Sequence, residues 1–321
     1  MKQKIIVVLL TLMRFITSAV FGQEQPKITL LFPFGYDFIR LGEQTIHSPS
    51  AGTGFLLGEM DLPFTEVERR FFGLALYRPF FLSEEPQSGV TRPLHRIDAI
   101  FDGRINRHQI LFIFKSTADK PIAGGLNTFQ AGAGWGYELI RQDHVSLILG
   151  AVAGVSDFGI TLPSGAVWPL LPLPLVRFGI DTQWFVSSFD FLTGPKLSFT
   201  VAPKEKIRFT ADMRMDKYRN IDDLICEFTL WYRFFSADHL LGDFAGIGFG
   251  IKNDMYGFDL SNDLKVFELQ QKSVFASIDL SILSIQGGWI FDSNYIVDNK
   301  KTKNPGKGFF ISVQGIIPVK R

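Results

Sequence analysis

Thr128 to Leu139 reads TFQAGAGWGYEL, and its two faces could hardly differ more. Phe129, Ala131, Ala133, Trp135, Tyr137 and Leu139 alternate with Gln130, Gly132, Gly134, Gly136 and Glu138. A strict period of two is a β-strand, because successive side chains leave opposite faces of the pleat. In a soluble sheet the second face carries charged residues toward water. Here it is nearly bare glycine, which weakens a strand and marks close approach or tight curvature. A barrel wall satisfies both conditions, with a crowded inside and an outside that can sit in lipid.

The pattern recurs along the chain. HVSLILGAVAGVS (residues 144–156) sets Val145, Leu147, Leu149, Ala151, Ala153 and Val155 on one face, joined to the opening strand through Arg141-Gln142-Asp143. LVRFGIDTQWFVSS (175–188) reads as one strand. PKLSFTVA and KIRFTADMRMDK form a hairpin about Pro203-Lys204-Glu205. In DLICEFTLWYRFF the face Leu224, Cys226, Phe228, Leu230, Tyr232 opposes Ile225, Glu227, Thr229, Trp231, Arg233. DFAGIGFGIK, VFASIDLSI and GFFISVQGII repeat the alternation, and further strands fall at 69–82, 95–104, 108–116 and 27–40. With residues 281–291 taken as a hairpin or one bulged strand, the expectation is about 12–14 strands. The stretches NDMYGFDLSND and DSNYIVDNKKTKNPGKG read as solvated loops.

So many strands in an open sheet would leave edges that invite aggregation, and closure removes them. Nothing helical is available in the sequence to cover the apolar face, which in water would be a very large exposed patch. In a bilayer that face is required, and closure satisfies every backbone group. The fold class expected is therefore all-β, a transmembrane antiparallel up-and-down β-barrel. FFGLALYRPFF places aromatic pairs at Phe71-Phe72 and Phe80-Phe81, nine residues from first to first. At about 3.4 Å per residue and a tilt of about 40° they stand roughly 23 Å apart, the spacing of two interfacial girdles.

The 321 residues are 46% hydrophobic and include 33 Phe, yet no apolar run after the N-terminus is long enough for a helical span. MKQKIIVVLLTLMRFITSAVFG (1–22) has the charged start, apolar centre and small residues of a secretory signal peptide, cut after Gly22, with Ala19 as competitor. Residues 23–321 are then the barrel domain. Removing residues 1–22 takes away Lys2, Lys4 and Arg14 and no acid, leaving 30 basic against 32 acidic residues. That balance excludes nucleic acid as a partner. Cys226 is the single cysteine, and His47, His95, His108 and His239 lack metal-ligand spacing, so neither metal nor other cofactor is expected. GAGWG and GIGFG are not phosphate loops, since strand alternation runs through them and no helix follows.

These features together resemble bacterial outer-membrane β-barrel proteins across nearly all of residues 23–321. LPLPLVRFGIDTQW followed by GPKLSFTVAPKEKIRFTAD is similar to a family of uncharacterised outer-membrane barrels, which brings no activity with it. The resemblance implies a Gram-negative-type outer membrane, lipids around the wall and the barrel-assembly machinery as a partner in biogenesis. Such barrels commonly finish on an aromatic residue, whereas this chain finishes Ile-Pro-Val-Lys-Arg, with Phe309 and Phe310 the nearest aromatics. If the last strand ends in the periplasm, counting back puts the connector 159–174 in the periplasm and the turn 141–143 outside. That reverses the usual placing of long loops outside. Either one strand is miscounted or the connector folds against the barrel.

Two constellations could carry function. Arg177, Asp181, Arg208, Asp212, Arg214, Asp216, Glu227 and Arg233 share the expected inner face, as a charged constriction for small or amphipathic solutes or as ion pairs filling a closed interior. Arg208 with Asp212, or Arg214 with Asp216, could pair. His144-Val145-Ser146 locally resembles the His-x-Ser pair of outer-membrane phospholipases and lipid A deacylases, where imidazole activates the hydroxyl. Its neighbours Asp143 and Asp157 fit no third-member motif, and Val145, Leu147 and Leu149 claim the outer wall on which such enzymes meet lipid. A channel or transporter thus stands ahead of a lipid hydrolase and of a purely structural or adhesive barrel.

Overall fold

The computed structural model describes residues 28–57, 69–84, 93–121, 128–161, 167–191, 195–215, 224–234, 245–260, 266–280, 282–297 and 300–320. Side chains of residues 155–173 are outside that description. The first five strands are β1 (Ile28–Leu41), β2 (Gln44–Leu57), β3 (Arg69–Leu82), β4 (Leu94–Ile105) and β5 (His108–Ala118). The next are β6 (Gln130–Gln142), β7 (Val145–Thr161), β8 (Val167–Asp181), β9 (Phe185–Phe191) and β10 (Pro195–Val201). Then come β11 (Ile207–Met215), β12 (Leu224–Arg233), β13 (Ala245–Asp259), β14 (Val266–Leu280) and β15 (Leu283–Val297). The short β16 (Lys300–Lys303) rides on β15, and β17 (Gly308–Lys320) ends the chain.

From β1 to β15 each strand pairs antiparallel with the next, β15 pairs with β17, and β17 pairs with β1. Sixteen strands therefore close a ring, with β16 an appendage. The expected class holds, and the ring exceeds the 12–14 strands expected for two reasons. QTIHSPSAGTGFLL, whose Ser, Gly and Pro read as loop, is β2. The stretch 175–188 is two strands, because Thr182 makes a tight turn: its Oγ1 donates to the Phe185 carbonyl at 2.8 Å and accepts from the Phe185 amide at 3.0 Å.

That extra turn shifts the parity and settles the orientation conflict. The connector between β7 and β8 now lies at the same end as the β5–β6, β11–β12, β13–β14 and β15–β17 connectors, and the turn 141–143 lies at the opposite end. The prolines of VWPLLPLPLVRFGID sit in β8, where it runs on past β9, whose pairing stops at Val176. An edge is where a strand can lack amide donors.

The outer wall is apolar. Trp135, Phe178, Leu230, Phe249, Ile278, Trp289 and Ile311 all face out and are exposed. On β14 the band runs from Val274 to Leu280, roughly 16 Å at a tilt of about 40°. Above it stands the Lys272–Asp292 ion pair at 3.4 Å. The girdle reading needs correction: Phe71 and Phe81 face out, while Phe80 turns into the lumen. Aromatic continuity comes from cross-strand rows instead, Phe185–Phe199–Phe209–Phe228 at centroid separations of 6.0–6.4 Å.

Inside, the glycines of β6 do what the opening stretch suggested. A Cβ on Gly134 would lie 2.6 Å from Val152 Cγ2, and one on Gly136 would lie 2.8 Å from Ile148 and Leu175 side-chain carbons. Those side chains lean across the bare strand, and Leu111, Val152 and Leu175 form a buried cluster with Ile100 and Ile113 against it.

Candidate functional site

The lumen divides into three regions. The first is the filled lobe of β4–β9, where Arg177 reaches over the glycine strand. Its Nη1 is 2.7 Å from Asp102 Oδ2, its Nε is 2.8 Å from Asp190 Oδ2, and Gln109 Nε2 donates to both Asp102 oxygens. The β4–β8 arc, with three strands between its ends, is thus drawn together around apolar filling.

The second region is a cavity of about 440 Å³ inside β1, β3, β4, β11–β15 and β17. Its wall carries both signs of charge. Arg78 Nη1 is 3.2 Å from Asp37 Oδ2, which side chain also accepts from Ser312 Oγ at 2.5 Å. Arg96 pairs with Asp98 at 2.5 Å. Lys252 Nζ is 3.0 Å from Asp254 and 2.7 Å from Gln286 Oε1, and stands 4.2 Å from the centre of the Phe310 ring, a cation–π distance. Arg214, Glu227, Trp231 and Asp279 complete the lining.

The third region closes the long-loop end. Ile39, Leu41, Ile46, Phe80, Leu82 and Leu94 from one wall meet Phe258, Phe267, Leu269, Tyr295 and Phe310 from the other in one buried apolar cluster. Phe80 lies 5.0 Å from Phe258 and 5.6 Å from Tyr256, ring centre to centre. The backbone itself crosses the lumen: Asp259 pairs with Ala118, and the Asp119 amide donates to the Asp259 carbonyl at 3.2 Å. Strands β5 and β13 are eight places apart in a ring of sixteen, hence opposite one another. In a round barrel of that size they would be roughly 32 Å apart.

The sequence-derived inner-face residues are thus distributed rather than gathered. Arg214 and Glu227 share the charged cavity, and Arg177 anchors the filled lobe. Arg208 lies over the Trp231 ring at 5.4 Å, and Asp212 accepts from Ser198 Oγ at 2.5 Å. Arg233, buried, donates from Nη2 to the Pro203 carbonyl at 2.6 Å and ties the β10–β11 turn. Asp181 is exposed at a turn, and Asp216 lies outside the described residues. The reading missed Asp37, Arg78, Arg96, Asp98, Lys252 and Asp254. For the last four the signal was present, since HRID and IKND place opposite charges two apart on one strand face.

The supposed loops NDMYGFDLSND and DSNYIVDNKKTKNPGKG are corrected in part. Asn253–Asp259 continues β13 and Asp292–Val297 continues β15. Above the apolar band the alternation inverts: on β14 Gln270 and Lys272 point out while Phe267 and Leu269 point in. Asn, Asp and Gly there cover a strand that buries aromatics inward, which reads as a loop by composition.

His144 Nδ1 is 2.7 Å from the Asp181 carbonyl oxygen, and Ser146 faces inward, its Oγ 2.8 Å from where a Cβ on Gly179 would stand. Among the described residues, no three His, Cys, Asp or Glu side chains are grouped as a metal site.

No protein-family model and no curated protein sequence matches the chain. Solved structures that resemble it include OccK7 (OpdD) of Pseudomonas aeruginosa, at 12% identity over 93% of this chain and 100% of that one, TM-score 0.35. OccAB3 of Acinetobacter baumannii aligns at 11% identity over 92% and 100%, TM-score 0.40. The outer membrane protein OprD of Pseudomonas aeruginosa aligns at 8% identity over 92% and 94%, TM-score 0.39. At identities and scores this low, the functional reading has to come from the chain's own residues.

Proposed function

We propose that the chain is a channel of a Gram-negative-type outer membrane that passes small polar or amphipathic solutes. The observation that carries this reading is the pairing of an apolar outer wall with a charged interior cavity in one closed barrel. The wall suits lipid as its partner, and barrels of about this strand number have room for an aqueous path. In the cavity Arg78, Arg96, Arg214 and Lys252 stand among Asp37, Asp98, Glu227, Asp254 and Asp279. Such a near-balanced lining favours solutes bearing both signs over simple anions or cations, with Trp231 and Phe310 as apolar surfaces beside them.

The chain would arrive by signal-peptide-dependent secretion and insert with the barrel-assembly machinery; residues 1–22 lie outside the described part. The test is the reversal potential of the refolded chain in a planar bilayer under a potassium chloride gradient. Lys252→Gln leaves Asp254 and Glu227 uncompensated, so current through this cavity should shift toward cation preference. Steps with unchanged selectivity would put the path elsewhere, and absence of steps after the apolar closure is cut would refute a channel.

A further inference from the structure

One hairpin carries the apolar closure across the lumen, supplying Phe258, Leu260, Phe267 and Leu269 to it. β12 accompanies β13 only as far as the Cys226–Asn253 pair, where Asn253 Nδ2 donates to the Leu224 carbonyl at 2.7 Å. Among the described residues β13 runs six residues further with no β12 partner, and its edge meets β5 across the lumen at Asp259. Its arms, Asp254–Leu260 and Val266–Gln271, are largely buried on both faces, unlike any wall strand lower down. One face puts Tyr256 and Phe258 on Phe80. The other, with Met255 and Glu268, encloses a small space against Arg96, Lys115 and Thr117 of β4 and β5.

At the hairpin's base, β14 and β15 slip register between Lys272 and Ser273. A bulge bends a strand and re-aims what lies beyond it. The extra residue is Phe291 of β15, beside the Lys272–Asp292 pair that tops the apolar band, so β15 bends there and the β14 arm, paired with it from Phe267 to Lys272, follows it inward. We propose that the β13–β14 hairpin above this bulge, moving with the upper end of β15 to which it is paired, is the gate of the lumen, closed here by docking on β3 and β5 and opened by swinging back over its own wall. This assignment rests on the channel reading. The ladders that close the ring (β12–β13 up to Asn253, β14–β15, β15–β17, β17–β1) do not involve the docked contact, so undocking leaves the barrel intact. Undocking also wets an apolar constriction, the step by which such constrictions pass from closed to conducting.

The experiment places Ala118→Cys and Asp259→Cys together in a Cys226→Ser chain, which removes the native thiol. Bridge partners fall within the Cα range of a disulfide. The gate predicts that oxidant links the two in folded protein, that the linked barrel is silent in a planar bilayer, and that reductant restores openings. The unlinked open fraction should lie at roughly 0.1–10%, as for a minor conformer, and should rise in Phe80→Ala/Phe258→Ala. No link in folded protein overturns the docked hairpin. A link that forms while conductance is equal in both states overturns the gate and leaves the channel standing. Silence in every form, Phe80→Ala/Phe258→Ala included, overturns the channel and the gate with it.

Discussion

Ala276→Arg measures the environment of the outer wall with little disturbance of packing. Ala276 faces out from β14 between Phe249 of β13 and Gly287 of β15, and it is exposed. The row above it on β14 holds Val274 and the rows below hold Ile278 and Leu280, so Ala276 sits near mid-height of the apolar band. An arginine at the midplane of a barrel wall in lipid costs about 2–4 kcal/mol, and about 0–1 near an interface. Leu280→Arg, four residues along the same face and next to a short turn, is the matched control. The pair should differ by roughly 1–4 kcal/mol, up to about 700-fold in folding equilibrium. Denaturant titration of folding into vesicles, followed by tryptophan fluorescence, reads the difference directly. Equal cost at the two sites, or no cost at Ala276, would refute a depth-dependent apolar medium around this wall.

Three further outcomes follow from the interior. Arg177→Ala removes the cation from the Asp102 and Asp190 carboxylates, both partly buried, leaving Asp102 to Gln109, and should lower unfolding free energy by about 2–3 kcal/mol; a denaturation midpoint unchanged from the parent would show the bridge to be idle. Gly134→Val drives a side chain into Val152, which cannot retreat from the Leu111–Leu175 cluster, at a cost of about 1–3 kcal/mol by the same titration. Ser146→Ala should leave phospholipid turnover by the refolded protein at the level of the parent, and a drop on substitution would return the hydrolase to consideration.

Face assignment was legible from the sequence because alternation is a local property. The outward rows at Phe129–Leu139, Leu224–Tyr232 and Ala245–Ile251 lie where the period of two puts them. Strand number was less legible, since a turn as small as Thr182–Phe185 keeps the alternation nearly in phase through two strands. β2 was missed because its outward side carries Pro49, Ala51 and Thr53 in place of bulk. The closure could not be read at all. Phe80 looks like a girdle residue and Tyr256 like a loop residue, and only the meeting of opposite walls gives them a common role. Likewise Arg177 meets Asp102, 75 residues away, and no spacing rule links them.

The central claim, an apolar wall in lipid around a polar interior, is tested most directly by two single-tryptophan chains in vesicles with brominated acyl chains. One keeps Trp289, exposed on the outer wall; the other keeps Trp231, which faces the cavity with its indole nitrogen donating to Thr210 Oγ1 at 3.1 Å. Strong quenching of Trp289 and little of Trp231 is the result predicted. Equal quenching of the two, or an unquenched Trp289 in folded protein, would contradict it.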